Sequence, residues 1–128
     1  MKNSKSYQVA QADLYFNKYI RLRDYGEPCI SCDRYFKFDE MDAGHYRSKA
    51  AAPELRYNED NVHAQCRECN SGFASGNRKK YREKLILKIG IDRVEKLELY
   101  TSPLKMTIDD IFNLRKKYKK KCESYSCW

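Results

Sequence analysis

The sequence predicts an α+β fold in which a small core, held by two cysteine pairs, lies between one N-terminal helix and several C-terminal helices. Two observations indicate this. Apolar residues recur at helical spacing near both ends of the 128-residue chain, and short extended stretches lie between two C-x-x-C motifs in its middle. The length suits one domain with a modest core. We therefore expect a single domain over residues 1–128, with an N-terminal helix at 6–24, a zinc-binding core at 27–77 and C-terminal helices at 78–124.

The composition favours a water-exposed protein with a polyanionic partner. The formal net charge is +8 and the sequence pI is about 9.2, and nucleic acid is the commonest partner of such a chain. No apolar run approaches the roughly 20 residues that a membrane span needs. The first residues lack the apolar stretch of a signal peptide. We expect a cytoplasmic protein with no membrane partner.

The N-terminal helix is predicted from its apolar period. The positions that recur at helical spacing are Val9, Ala12, Phe16, Tyr19 and Ile20. Gly26 and Pro28 follow and should end the helix before the first cysteine pair.

The middle of the chain predicts short strands and one long loop. Residues 35–38 alternate apolar and charged side chains like a short strand, and a second extended piece should end near His45. Residues 47–60 read as a loop, and 61–65 as another short strand. That strand runs into the second cysteine pair, which should open a helix.

Turn and cap signals divide the C-terminal part into helices. After a turn at 75–77, a basic helix is predicted at 78–89, closed by Gly90. Asp92 and Glu95 have the spacing of a capping box for a further short helix.

The last helix should begin after Pro103, which breaks the chain. Thr107 and Asp110 have capping-box spacing, and a strongly basic run at 115–121 follows. The apolar residues expected on or near one face of this helix are Ile108, Ile111, Phe112 and Leu114.

Four cysteines have the spacing of a structural zinc site. Cys29 and Cys32 form one C-x-x-C pair, and Cys66 and Cys69 form the other. Four thiolates saturate a tetrahedral Zn²⁺ and leave no position for water, so one such ion per chain would be structural. The two remaining cysteines are Cys122 and Cys127. We expect free thiols on a loose tail, with a disulfide or a second metal as alternatives.

A second group of residues suits phosphodiester hydrolysis. Asp42 and His45 lie between the cysteine pairs, and Asn70 directly follows the second pair. A hard divalent ion takes carboxylate and amide oxygens, here Asp42 and Asn70. An imidazole can deprotonate an attacking water near neutral pH, which predicts His45 as the general base. His63, the other histidine, is expected to pack or to contact phosphate.

These residues resemble the pattern of the HNH, or ββα-metal, nucleases, which are built on a treble-clef zinc scaffold. The matching positions are Cys29, Cys32, His45, Asn61, Cys66, Cys69 and Asn70. The resemblance implies a ββα-metal core and adds Asn61 to the catalytic set of His45, Asn70 and Asp42. On its chemistry alone, we expect the Asn61 amide to pin the connecting loop through backbone hydrogen bonds.

The likeness is closer still to the phage NinG family, also called Rap, of recombination endonucleases. The stretches that carry it are PCISC, DAGHYRSKAAAPELRYNEDNVHAQCRECN, SGN and YREKLILKIG. The resemblance covers residues 10–100. It implies a hydrolase acting in the host cytoplasm that cleaves branched DNA, such as Holliday junctions and D-loops. It also implies catalytic Mg²⁺ or Mn²⁺ and a homodimer.

Cationic side chains near the site are the expected DNA contacts. They are Arg47, Arg78, Lys79, Lys80 and Arg82, and the basic run at 115–121 is also expected to contact phosphates. Three positions depart from the family pattern. Ala74 replaces a lysine that members often carry, which removes one possible phosphate contact. Gly44 replaces the acidic residue that often precedes the histidine, so Asp42 would supply the carboxylate from further away. Asp33 replaces a glycine after the first cysteine pair, at a left-handed turn that Asp can still adopt.

Two other functions stay open on the sequence. One is an HNH nuclease that acts on ordinary duplex DNA. The other is a non-catalytic, zinc-dependent DNA-binding module, which needs the cysteines and the basic surface but not His45 and Asn70 turned toward one ion.

Overall fold

The N-terminal helix forms almost as predicted. The computed structural model describes residues 4–71, 77–101 and 105–125, and helix α1 spans Lys5–Arg23. Ser4 caps α1 because its hydroxyl accepts a hydrogen bond from the Tyr7 amide at 3.1 Å. One stripe of α1 is buried, and it consists of Gln8, Ala12, Phe16 and Ile20. After α1 the backbone turns at Gly26, whose φ is +86°.

The strand predicted at 35–38 is wrong. Residues 33–37 form no regular structure, and a short 3-10 turn at Phe38–Glu40 follows. The alternation does not mark one buried face, because the three aromatic rings lie in different surroundings. Phe36 packs against the cysteine cluster, the Phe38 ring lies under the Arg21 guanidinium, and Tyr35 is 74% exposed.

Two short strands form the sheet of the described residues. Strand β1, Met41–His45, pairs antiparallel with β2, Val62–Cys66, so that Gly44 lies opposite His63 and His45 opposite Val62. The extended piece ending at His45 is therefore confirmed. The second strand begins one residue later than expected, since the Asn61 side chain binds the connecting loop. That loop is irregular, as predicted, apart from a 3-10 turn at Pro53–Leu55.

Helix α2, Arg67–Ser71, begins directly after β2 and contains Cys69, as predicted. The order of the core is therefore strand, strand, helix. Together with the flanking helices, this confirms the α+β class.

Two helices follow with a single glycine between them. Helix α3 spans Arg78–Ile89 and α4 spans Ile91–Glu98. Gly90 has a φ of +93°, which ends α3 and lets α4 start at the next residue. The capping box predicted at Asp92 is wrong, because Asp92 already lies inside the first turn of α4.

Helix α5, Ile108–Glu123, begins as predicted. Thr107 accepts from the Asp110 amide at 3.1 Å, and Asp110 accepts from the Thr107 amide at 2.9 Å. The buried face is centred on Ile111 and Tyr118, whereas Ile108 and Phe112 are exposed. The predicted apolar face of this helix is thus partly wrong.

Helices α1 and α5 pack side by side and run in the same direction. Arg115 bonds Gln8, and seven residues further along each helix Cys122 bonds the Tyr15 carbonyl. Aromatic rings fill the space between these helices and the sheet, with Phe16 edge-on to Tyr118 at 4.8 Å between ring centroids. A second apolar cluster joins α3 and α4 to the loop after β1. The predicted turns at Ser75, Gly76 and Pro103 lie outside the described residues.

Candidate metal centre and active-site cleft

The four predicted cysteines come together in space. Their sulfurs all lie within 4.8 Å of one another, and Cys32 and Cys66 are 3.9 Å apart. Four sulfurs around one Zn²⁺ at about 2.3 Å each would be separated by about 3.8 Å. The cluster can therefore hold a structural metal ion such as zinc. Asp33 has a φ of 64°, which confirms the left-handed turn after the first pair.

The surroundings of the cysteine cluster shift the pKa values of its thiols in opposite directions. The backbone amides of Ser31 and Cys66 donate to the Cys29 sulfur at 3.4 and 3.3 Å. Burial raises the pKa of the Cys66 thiol to about 12. Burial acts the same way on Cys32, but hydrogen bonds from Arg34 and neighbouring cysteines outweigh it and lower that pKa to about 7. A bound cation would keep all four sulfurs deprotonated.

A cleft of about 690 Å³ lies along β1 and is bounded by α1, α2 and the start of α3. Asp42, His45 and Asn70 all line it. Strand β1 and helix α2 thus bring these three side chains to one space. The cationic residues that line the same cleft are Arg21, Lys49, Arg67 and Arg78.

The His45 ring is held in one orientation. Its Nε2 lies 2.9 Å from the carbonyl oxygen of Arg56, which can only accept, so Nε2 carries the proton. Nδ1 is then the ring nitrogen with a lone pair. Burial lowers the pKa of His45, and the charges of Lys49 and Arg56 act in the same direction. The imidazole is neutral near pH 7, which is the form a general base needs.

Asp42 and Asn70 contact each other directly. The Asn70 amide nitrogen donates to Asp42 Oδ2 at 3.1 Å, and Arg67 Nε lies 3.5 Å from Oδ1. The Asn70 amide oxygen and the Asp42 carboxylate are oxygen ligands of the kind that Mg²⁺ takes. Among the described residues, the four cysteines are the one cluster in which three or more histidine, cysteine or acidic side chains lie close enough to share a metal ion. A second ion would rely on these two oxygens with water or substrate phosphate.

Gly44 is required by the packing of the hairpin. A Cβ atom at this position would lie 2.8 Å from the Cβ of Gln65, closer than real Cβ contacts come. An acidic side chain before His45 therefore does not fit, and Asp42 is the carboxylate of β1 in the cleft.

Asn61 lies outside the cleft and is fully buried. Its side-chain oxygen accepts from the Arg47 amide at 2.9 Å. Its amide nitrogen donates to the carbonyls of Arg47 and Leu55 at 3.0 and 3.2 Å. The side chain holds the two ends of the connecting loop together, which is the role expected from its chemistry.

Two of the predicted DNA contacts are engaged within the protein. Arg47 donates to the carbonyls of Leu97 and Tyr100 at the end of α4, at 3.2 and 2.9 Å. Arg82 forms a two-pronged ion pair with Glu98 at 2.7 and 3.1 Å. By contrast, Arg78 lines the cleft, and Lys79 and Lys80 are exposed beside it.

Sequence reasoning did not name three cations of the cleft. Lys49 follows His45 by four residues, and Arg67 lies between Cys66 and Cys69 in the sequence, so local proximity could have suggested both. Arg21 belongs to α1 and reaches the cleft only through tertiary packing.

His63 is buried, 2% exposed, and both of its ring nitrogens are used. Nε2 donates to the Asp60 carbonyl at 2.8 Å, and Nδ1 accepts from Arg23 at 3.0 Å. Burial, reinforced by the charges of Lys88 and Arg23, lowers the pKa of His63 to about 3. The structure places this histidine in the core and away from the cleft, which leaves packing as its role.

Cys122 is not on a loose tail. It is a buried free thiol on α5, and its sulfur donates to the Tyr15 carbonyl at 3.3 Å. Cys127 lies outside the described residues. Within the ranges 4–71, 77–101 and 105–125, none of the helices combines the length and apolar character that crossing a membrane requires.

Comparison with known proteins links the chain to phage proteins. The sequence model of the family described as "Bacteriophage Lambda NinG protein" matches residues 1–126. Protein ninG of Escherichia phage lambda is 42% identical over 117 residues, covering 91% of this chain and 56% of its own length. Protein ninG of Salmonella phage P22 is 41% identical, covering 91% and 57%. The chain thus spans a little over half the length of these relatives. No solved structure gives a significant match.

Proposed function

The chain belongs to the bacteriophage lambda NinG family, and from that premise we propose that it is a metal-dependent DNA endonuclease acting on branched recombination intermediates such as Holliday junctions and D-loops. One observation carries the proposal. A neutral histidine, a carboxylate and an amide oxygen line one cleft with four cationic side chains, beside a four-cysteine cluster. The strand, strand, helix core is then of the ββα-metal, treble-clef type, and its cysteines hold one structural Zn²⁺.

His45 is the general base in this proposal. Its Nδ1 takes a proton from a water molecule while that oxygen forms a bond to the scissile phosphorus and one P–O ester bond breaks. The leaving oxygen is protonated from solvent. The Arg56 carbonyl keeps the proton on Nε2 and leaves Nδ1 free for this step. Half-burial keeps the imidazole neutral before the reaction.

The other residues of the cleft bind and orient the phosphate. Arg78, Lys49 and Arg67 supply positive charge opposite the phosphodiester, where negative charge builds in the transition state. A Mg²⁺ or Mn²⁺ held by Asp42 and Asn70 would stabilise charge on the phosphate and leaving oxygens. Asn61 acts at a distance, because it fixes the loop that begins after His45. We infer that the protein acts on DNA in the host cytoplasm as a homodimer.

The decisive experiment compares a labelled four-way junction with a linear duplex of matching sequence, each with Mg²⁺, Mn²⁺ or EDTA. A mixture with no added divalent ion is a second control, since EDTA can also remove zinc. Cleavage of the junction alone supports the proposal. Equal cleavage of both indicates a nuclease for ordinary duplex DNA, and binding without cleavage under every condition indicates a non-catalytic DNA-binding module.

A further inference from the structure

A row of cationic side chains leads out of the cleft and across α1. Leu14 and Arg21 of α1 both line the cleft. Lys18 lies between them, four residues after Leu14 and three before Arg21, and is exposed. Residues at these spacings are neighbours on one side of a helix. Lys18 therefore extends the charge of the cleft onto the outward face of α1.

The row continues onto α5. Burial raises the pKa of the Cys122 thiol, while the charges of Lys18 and Arg21 act against this rise, so both cations lie near α5. On α5 itself, the Lys119 amine lies 6.0 Å from the centre of the Tyr15 ring. One turn earlier, Lys116 lies 5.0 Å from the ring of Phe112, which is 40% exposed. We call Arg21, Lys18, Lys119 and Lys116 the cationic strip.

The amines of the strip are available for a partner. Among the ion pairs of the described residues, none includes Lys18, Lys116 or Lys119. Lys121 differs, because it pairs with Glu59 at 3.0 Å. Glu123 is the acidic residue of α5 nearest to the strip in sequence, one turn beyond Lys119, and it leaves the strip with a net positive charge. Four clustered cations on one surface favour a polyanion.

We propose that the cationic strip binds the phosphate backbone of the DNA arm that leaves the cleft. The strip crosses one helix spacing, about 10 Å, and Arg21 lies about 18 Å further along the parallel helices than Lys116 at about 1.5 Å per residue. The strip is thus about 20 Å long, which corresponds to about six base pairs along a duplex. Lysine contacts to phosphates carry no base specificity, so this surface holds an arm without reading its sequence. That this DNA arm begins in the cleft rests on the proposed nuclease function.

The test measures the salt dependence of binding to a labelled four-way junction, with zinc-loaded protein of residues 1–128 and no added Mg²⁺. Each phosphate contact contributes about 0.9 to the slope of log affinity against log salt. Lys116→Ala with Lys119→Ala should therefore reduce that slope by about 1.8. The paired Lys116→Arg and Lys119→Arg variant should keep the wild-type slope, since arginine retains the charge.

Lys96→Ala is the matched control, because Lys96 is an exposed lysine of α4 outside the strip. Its slope should equal that of the wild type. An unchanged slope in the double alanine variant overturns the strip, and so does a loss of about 0.9, the figure for one phosphate contact, in the Lys96 variant. The nuclease proposal fails separately: if the slope falls as expected but no DNA is ever cut, the strip stands as a DNA-binding surface.

Discussion

The two histidines of the hairpin lie one residue apart in register, yet their surroundings are opposite. His45 ends β1, and His63 lies opposite Gly44 on β2. His45 is half-buried beside an open cleft, and one of its ring nitrogens is committed to a carbonyl. His63 is enclosed, with a partner for each nitrogen. A histidine can act as a base only where a lone pair can reach solvent or substrate. Of the two histidines, His45 is the one that lines the cleft and has a ring nitrogen outside its bond to a carbonyl.

Removing the cysteine cluster should abolish both histidine environments at once. Cys66 ends β2, and α2 follows directly, so metal binding would hold the hairpin against the helix. We expect Cys66→Ser to lose zinc and to leave the domain largely unfolded, since metal binding contributes folding free energy in small domains. Elemental analysis and circular dichroism measure both effects. Cys122→Ser is the control and should keep zinc and fold; folded, zinc-free protein of full activity would rule out a structural metal.

Replacing each histidine in turn tests the contrast directly. His45→Ala should slow single-turnover cleavage of bound junction by about 10² to 10⁴, the usual cost of losing a general base. Zinc content and junction affinity should stay unchanged. His63→Ala should leave the cleavage rate close to that of the wild type and lower the free energy of unfolding by about 1–3 kcal/mol, because buried partners lose hydrogen bonds. If His63→Ala is the inactive variant, the active site has been assigned to the wrong histidine.

Replacing Asp13 should sharpen the contrast between the two histidines, because Asp13 acts on His45 and not on His63. Arg56, whose carbonyl orients His45, is held by Asp13 at 2.9 Å, and Tyr57 donates to the same carboxylate at 2.7 Å. Asp13→Asn should loosen this loop and slow cleavage roughly tenfold, less than the ~10² that a 1 Å misplacement can cost.

The pH profile separates positioning from simple destabilisation in this variant. The Asp13 charge acts to raise the pKa of His45, against the lowering by burial. Removing that charge should move the acidic limb of the rate profile to lower pH. Asp13→Glu should keep the wild-type profile. A slower enzyme with an unshifted limb would show that Asp13 only stabilises the fold.

The smallest effect concerns stability against pH. His63 has a pKa lowered to about 3, so the unfolded chain binds a proton near pH 6.5 that the folded chain does not. Stability should therefore fall as the pH drops below about 6.5, by about 1.4 kcal/mol per pH unit. Urea unfolding between about pH 7.5 and 5.5 tests this. His63→Gln should reduce the change in unfolding free energy with pH more than His45→Gln does. Equal slopes of unfolding free energy against pH in the wild type and both variants would contradict this prediction.

Patterns that depend on neighbouring residues were predicted well. The cysteine spacing, the positions of α1 and α3, and the cap of α5 were all correct, because metal pairs, helical periods and capping boxes are local geometry. The strand predicted at 35–38 was wrong because it also depended on a local pattern. Alternation is a local signal, but whether a stretch becomes a strand depends on a partner strand that the sequence does not name.

The sequence by itself determined which residues could form the metal cluster and which histidine precedes the long loop. Only the tertiary structure decided which charges are free. Arg47 and Arg82 looked like DNA contacts but are bound to α4, whereas Arg21 reaches the cleft from α1. The tertiary structure also places the proton of His45 on Nε2, because that atom bonds the Arg56 carbonyl. The physical reason is that a charge or a ring nitrogen is defined by its partners, and these partners come from elements distant in the chain.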